Sequence, residues 1–187
     1  MLPKVIIPDI DGVWTDGSFY KGTDGFEFKK FSVFDGVGMA MARAADLKVA
    51  LISGRYSDAT KFRAEELKIE DVYNGQLNKI PAYEELKKKY QLSDSEIAYL
   101  GDDLIDIPVM NLVGCPIAVS NAIEKVKEIS VYTTKIAGGE GAFRDAVDWI
   151  ISEKGIKETV LKRMQDRIKE GCNYDYNTYG IQKTHWR

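Results

Sequence analysis

Four short apolar runs punctuate the chain at wide intervals: Val5-Ile6-Ile7, Val49-Ala50-Leu51-Ile52, Ile97-Ala98-Tyr99-Leu100 and Pro116-Ile117-Ala118-Val119. Each is too short for a helix and apolar at every position, the pattern of a strand buried on both faces. Asp71-Val72-Tyr73 and Val131-Tyr132-Thr133 are weaker versions of the same signal. Between them, apolar positions fall at helical spacing over about 36–46, 58–67, 80–90, 105–113, 121–129 and 141–153. Strands and helices in alternation predict βαβ units and a parallel sheet covered on both faces. The expected fold is α/β, a doubly wound parallel sheet.

Two stretches break the alternation. Residues 17–34 place Phe19, Tyr20, Phe26, Phe28, Phe31 and Phe34 around a Gly22-Thr23-Asp24-Gly25 turn, a β-hairpin signal where a parallel fold would place a helix. A two-stranded hairpin is marginal alone, so its aromatics are expected to bury against their own domain or another subunit. Beyond Ser152, Ile156, Val160, Leu161, Met164 and Ile168 form an apolar stripe at helical spacing, with Lys and Arg opposite. The chain then runs into Gly171–Arg187, rich in Tyr, Asn and Gly. The expected division is an α/β domain over 1–152 and a C-terminal helix and Tyr-rich tail over 153–187.

Composition narrows the function classes. Of 187 residues 44% are hydrophobic and 29% charged, which fits an ordinary globular protein. A net charge of -3 argues against a general nucleic-acid binder. Cys115 and Cys172 lie far from each other and from the single His185, so neither a disulfide framework nor a zinc site is expected. No signal-peptide core and no apolar run of membrane-spanning length is present, and a cytoplasmic protein is the default expectation.

The candidate chemistry follows the strands. In open parallel sheets ligands gather at the strand carboxyl ends. The first strand is followed by Asp9-Ile10-Asp11-Gly12, the second by Ser53-Gly54-Arg55, and the Ile97–Leu100 strand by Gly101-Asp102-Asp103, with Asp106 a turn later. Lys79 opens the helix between the last two. Clustered carboxylates repel until a hard cation joins them. All-oxygen donors with room for water and a phosphate oxygen favour Mg²⁺. Ser53, helix-start amides and Lys79 suit the phosphate. Asp9 and Asp11, two apart at a strand end, are expected to share a face, one attacking and one moving protons.

These motifs, with Phe31-Ser32-Val33-Phe34-Asp35-Gly36, Tyr73-Asn74-Gly75-Gln76 and Gly138–Arg144, resemble the haloacid dehalogenase superfamily of phosphohydrolases. Within it the chain resembles the capless group that includes the 3-deoxy-D-manno-octulosonate 8-phosphate phosphatases, over roughly residues 4–151. The resemblance implies Asp9 as nucleophile and Mg²⁺ ligand and Asp11 as acid/base whose backbone carbonyl also meets the metal. Asp102 becomes the second metal carboxylate, Ser53, Gly54 and Lys79 hold phosphate, and Asp106 orients the site. Ser32, Asp35, Arg55 and Arg63 match positions near substrate. It also implies a homotetramer built through the 17–34 hairpin.

The octulosonate enzymes usually read Phe-Asn-x-Arg-Asp-Gly after the hairpin. Here Ser32 and Phe34 occupy the Asn and Arg positions, and Ala40 replaces a further Arg. The expected function is therefore Mg²⁺-dependent hydrolysis of a sugar or sugar-acid phosphate monoester through an aspartyl-phosphate, in surface-polysaccharide synthesis. The octulosonate 8-phosphate and acylneuraminate-type 9-phosphate esters stand as alternatives. A phospho-accepting or phosphate-binding regulatory domain without turnover is the alternative of another class.

Overall fold

The computed structural model describes residues 3–170. The Tyr-rich tail over 171–187, with Cys172 and His185, lies outside the described residues. The elements alternate: β1 (Val5–Pro8), the hairpin strands β2 (Tyr20–Lys21) and β3 (Glu27–Phe28), α1 (Val33–Ala44), β4 (Lys48–Val49), β5 (Leu51–Ser53), α2 (Asp58–Glu66) and β6 (Val72–Asn74). Then come α3 (Ile80–Tyr90), β7 (Ile97–Gly101), α4 (Ile107–Met110), β8 (Cys115–Ala118), α5 (Glu124–Glu128), β9 (Tyr132–Thr133), α6 (Ala142–Glu153) and α7 (Lys157–Lys169).

Five parallel strands run in the order β4-β1-β7-β8-β9, with Ile6 opposite Val49 and Ile7 opposite Tyr99. Ala50 interrupts the expected strand over 49–52, and β5 resumes beyond it to pair with β6. From β1 the chain steps outward to β6. It then returns through α3 to β7 and continues the other way to β9. Crossovers between parallel strands are right-handed as a rule; here α1 packs against α6 and α7, and α3 against α4. The reversal between β1 and β7 is a topological switch point, where a crevice opens beyond the strand ends. The core spans the sheet and both helix layers, with Ile6, Ile7, Tyr99 and Ile117 packed among Met39, Tyr83, Leu86 and Phe143.

Pro8 fits this order. The Asp9 N–H donates to Leu100 O at 2.9 Å, so residue 8 faces the β4 side, where pairing already ends at Ile6 and Val49. Its missing donor therefore leaves no ladder bond unmade.

Some expectations are corrected. The helix expected over 105–113 is only Ile107–Met110, because the Asp106 carboxylate takes the Asp102 and Asp103 amides and holds 102–106 as a turn. The helix expected over 121–129 begins at Glu124: the Asn121 side chain accepts from Gly138 N–H, and Ile123 N–H donates to Asp102 O. The hairpin strands are two residues each, and of the six aromatics only Phe31 packs on the core. Phe19, Tyr20, Phe26, Phe28 and Phe34 are exposed. In α7, Val160 is buried and Met164 packs on the core, as does Ile156 just before the helix, but Leu161 and Ile168 face outward.

Candidate active site

Asp9 directly follows β1 and is almost fully buried. The chain then coils tightly, with the amides of Val13, Trp14 and Thr15 all donating to Ile10 O. The strand thus stops before Asp9, so strand alternation does not set how Asp9 and Asp11 lie relative to each other. Asp11 Oδ1 instead accepts from Lys29 Nζ at 2.6 Å. Gly12 permits the coil: its φ is +93°, and a Cβ there would lie 2.1 Å from Asp102 Oδ2. That near-collision shows how closely the loop after β1 approaches the loop after β7.

Lys79 caps the start of α3 and sends its side chain inward, where it is 2% exposed. Its Nζ lies 2.9 Å from Asp9 Oδ1 and 2.6 Å from Asp106 Oδ1, and donates to Tyr99 Oη at 3.0 Å. Asp106 is fully engaged: Oδ1 also accepts from Tyr99 Oη at 2.7 Å, and Oδ2 accepts the amides of Asp102 and Asp103 at 2.9 and 3.3 Å. Gly54 joins this group through its backbone, since a Cβ there would meet Ile105 at 2.8 Å and Lys79 Cε at 4.0 Å. Ser53 is buried beside it and donates to Arg55 O at 3.0 Å.

The charges within this cluster perturb one another. Burial raises the Asp9 carboxyl from 3.8 to about 7 against the pull of Lys79, and Asp106 adds to the rise. Burial, then the charges of Asp106 and Asp9, raises Asp102 to about 8. For Lys79, burial opposes its charge, but Asp9 and Asp106 outweigh it and hold the pKa above the ordinary lysine value.

Carboxylate oxygens of Asp9, Asp102 and Asp106 lie within 4.8 Å of one another. Asp102 Oδ1 is buried without a hydrogen-bond partner, which is costly unless another ligand completes it. The donors are all oxygen, so the site fits a hard divalent cation. Asp106 already serves four donors, which leaves Asp9 and Asp102 as the two carboxylates for the ion.

A second layer comes from the hairpin, and the sequence reading left it out. Lys29 reaches Asp11 and also Thr60 Oγ1 at 3.2 Å. Glu27 grips both terminal nitrogens of Arg55 at 2.7 Å each and accepts from Ser57 Oγ at 2.8 Å. These bonds, Arg55 first, lower Glu27 to about 2. Arg55 Nε lies 3.7 Å from Asp11 Oδ2, and the guanidinium sits 4.3 Å from the Phe19 ring centroid. A Lys two residues after a Glu in a strand pattern was the available signal.

The remaining predicted residues gather around the start of α1. Ser32 caps α1 by accepting the Phe34 amide at 3.2 Å, and Arg63 donates to Ser32 O at 3.1 Å. Asp35 is buried and accepts the Arg144 amide in the first turn of α6 at 3.2 Å; burial raises its pKa to about 6. Asp35 therefore ties α1 to α6 rather than lying open for substrate.

Comparison with known proteins agrees with this geometry. The model of the haloacid dehalogenase-like hydrolase family matches residues 43–144. The 3-deoxy-D-manno-octulosonate 8-phosphate phosphatase of Escherichia coli K12 is 41% identical over 152 residues, 81% of each chain. The Yersinia pestis enzyme of that name superposes with a TM-score of 0.77 at 42% identity over 80% of each chain. The Moraxella catarrhalis enzyme, solved with magnesium, phosphate and the octulosonate, gives 0.82 at 33% identity over 87% of this chain and 93% of that one. With the strand order, the acidic crevice at the switch point and this match in agreement, the chain belongs to the haloacid dehalogenase-like hydrolase family.

Proposed function

We propose that the chain is a Mg²⁺-dependent phosphatase that hydrolyses 3-deoxy-D-manno-octulosonate 8-phosphate, or a sugar-acid phosphate close to it, within surface-polysaccharide synthesis. The single observation that carries the reaction is Lys79 locked between Asp9 and Asp106 beside an unpartnered Asp102 oxygen. The relatives' substrate supports the ester named.

Asp9 attacks phosphorus in line with the leaving oxygen and forms an aspartyl-phosphate, which splits one slow hydrolysis into two steps. Asp11 protonates the departing alkoxide, then takes a proton from the water that attacks the intermediate. Lys79 and Ser53, with the Gly54 amide, hold the phosphoryl oxygens in place. Asp106 fixes Lys79 and the backbone that presents Asp102. Asp9, Asp102 and the Asp11 carbonyl would hold Mg²⁺, which would supply positive charge against the phosphoryl oxygens. Arg55 and Arg63 are the cations this reading assigns to the substrate.

One observation favours a second substrate class. Both terminal nitrogens of Arg55 are on Glu27, and Phe34 occupies the position where the octulosonate pattern quoted above has an arginine. Few cations thus remain for a substrate carboxylate, which favours a neutral sugar phosphate. We also propose a homotetramer whose contacts use the outer hairpin face, a cytoplasmic location, and the division at about 152. Among the described residues no helix is long and apolar enough to cross a membrane.

The test is phosphate release from a panel of eight-carbon acid, nine-carbon acid and neutral sugar phosphates, with Mg²⁺ or with EDTA. Octulosonate 8-phosphate should lead the panel, with turnover only in Mg²⁺ and none in Asp9→Asn. A panel led by a neutral sugar selects the second class, and no release from any ester sinks the phosphatase reading.

A further inference from the structure

The loop between β1 and α1 carries a strand with two unlike faces. Side chains alternate along β3 and its continuation. Phe26 and Phe28 point outward and are 67% and 65% exposed. Glu27 and Lys29 point inward, and both end on residues of the candidate site. Lys29 is the sharper case, because its side chain is 0% exposed while it belongs to a surface hairpin. A lysine rarely gives up water unless its ammonium is paired. Here the partners are Asp11 Oδ1 at 2.6 Å and Thr60 Oγ1 at 3.2 Å.

The contact divides the labour of the Asp11 carboxylate. Oδ1 is held by Lys29, and Oδ2 lies 3.7 Å from Arg55 Nε, short of any close bond. Proton transfer demands that the carrier oxygen stay within hydrogen-bond reach of the reacting atom, and a loose carboxylate would rotate away. The coil after Ile10 places Asp11 beyond β1, so no ladder bond fixes it. Lys29 takes over that task from across the crevice, with Thr60 anchoring the ammonium from α2.

We propose that Lys29 is a positioning residue for Asp11, which it holds with Oδ2 turned to the leaving oxygen of the ester. The proposal rests on reading Asp11 as the proton carrier. It adds that the hairpin belongs to the proton-transfer apparatus.

The test compares two leaving groups on the same protein. An alkyl sugar phosphate needs a proton on its departing oxygen. 4-Nitrophenyl phosphate does not, since nitrophenolate is a weak base. Losing a positioned acid costs about 100-fold or more where the proton is needed. The Lys29→Met variant should therefore lose about 100-fold in kcat/KM on the best alkyl ester and less than about 10-fold on the aryl ester. Lys29→Gln should behave the same way, and Lys29→Arg should bring the alkyl-to-aryl ratio most of the way back. The ratio is independent of how much of a preparation is folded, so instability of a variant leaves the result readable. Equal losses on the two esters in both uncharged variants overturn the proposal, as does an arginine variant no closer to the wild-type ratio than methionine. A wild-type protein that cleaves neither ester removes the phosphatase reading itself.

Discussion

Lys79 Nζ and Asp9 Oδ1 lie 2.9 Å apart with both side chains shielded from solvent. The same ammonium serves Asp106, so one buried cation neutralises part of two acidic groups from different loops. Removing it should leave those carboxylates uncompensated. Lys79→Met is expected to destabilise the fold by about 3–5 kcal/mol and to reduce kcat by about 10²–10³-fold. Urea unfolding and steady-state rates check the two effects separately. A variant as stable as the wild type would show that the buried pair contributes nothing net.

Asp102 and Asp106 should separate in a metal titration. Asp102 Oδ1 has no partner, whereas Asp106 is engaged on both oxygens. Asp102→Asn is expected to raise the Mg²⁺ concentration for half-maximal activity by more than about tenfold, because a charged ligand becomes neutral. Asp106→Asn should lower the rate and the melting temperature with a smaller change in Mg²⁺ demand. Activity measured against Mg²⁺ decides it. Equal shifts in the two variants would place Asp106 on the ion as well.

The acidity of the cluster makes a signed prediction for stability. Asp9 and Asp102 are raised from 3.8 to about 7 and about 8 in the folded protein without metal. Between these limits the folded state binds more protons than the unfolded state, so stability falls as pH rises. It is fully present below about 4 and is lost by about 8. Mg²⁺ replaces those protons. The gain in melting temperature on adding Mg²⁺ should therefore grow between about pH 5 and pH 8. Thermal unfolding in EDTA and in Mg²⁺ at several pH values tests it, and a gain independent of pH would contradict the assignment.

The exposed hairpin aromatics predict assembly. Phe26 and Phe28 lie side by side on the outer face with little of their surface covered. Contiguous exposed apolar surface of this kind marks an interaction site. Light scattering should give the mass of four chains for the wild type and a smaller species for Phe26→Ser with Phe28→Ser. A wild-type monomer would remove the tetramer proposal.

Much of this was legible in the sequence because it rests on short-range rules. Uninterrupted apolar runs marked the parallel strands, and the residues just after them were those that converge at the switch point. Asp9, Ser53, Asp102 and Asp106 were found in that way, and Lys79 as the residue that opens α3. Other features depend on long-range geometry and left no local signal. Asp35 was expected near substrate, yet it is buried against α6, more than a hundred residues away in the chain. Lys29 and Glu27 look like ordinary charges alternating with phenylalanines. Only the fold shows that the charged side faces inward and the aromatic side outward, the reverse of a hairpin packed on a core. The short α4 was missed because the carboxylate of Asp106 competes with the helix for backbone amides.

That inversion of the hairpin has a consequence for how the protein can change over evolutionary time. Phe28 sits between Glu27 and Lys29, so one backbone segment is the hinge pin between an outer surface and two inner charge contacts. A strand this short cannot tilt one side without tilting the other. Substitutions selected for a new neighbour on the outside will therefore move Asp11 and Arg55 as well, and quaternary structure and substrate choice should drift together in the descendants of this chain.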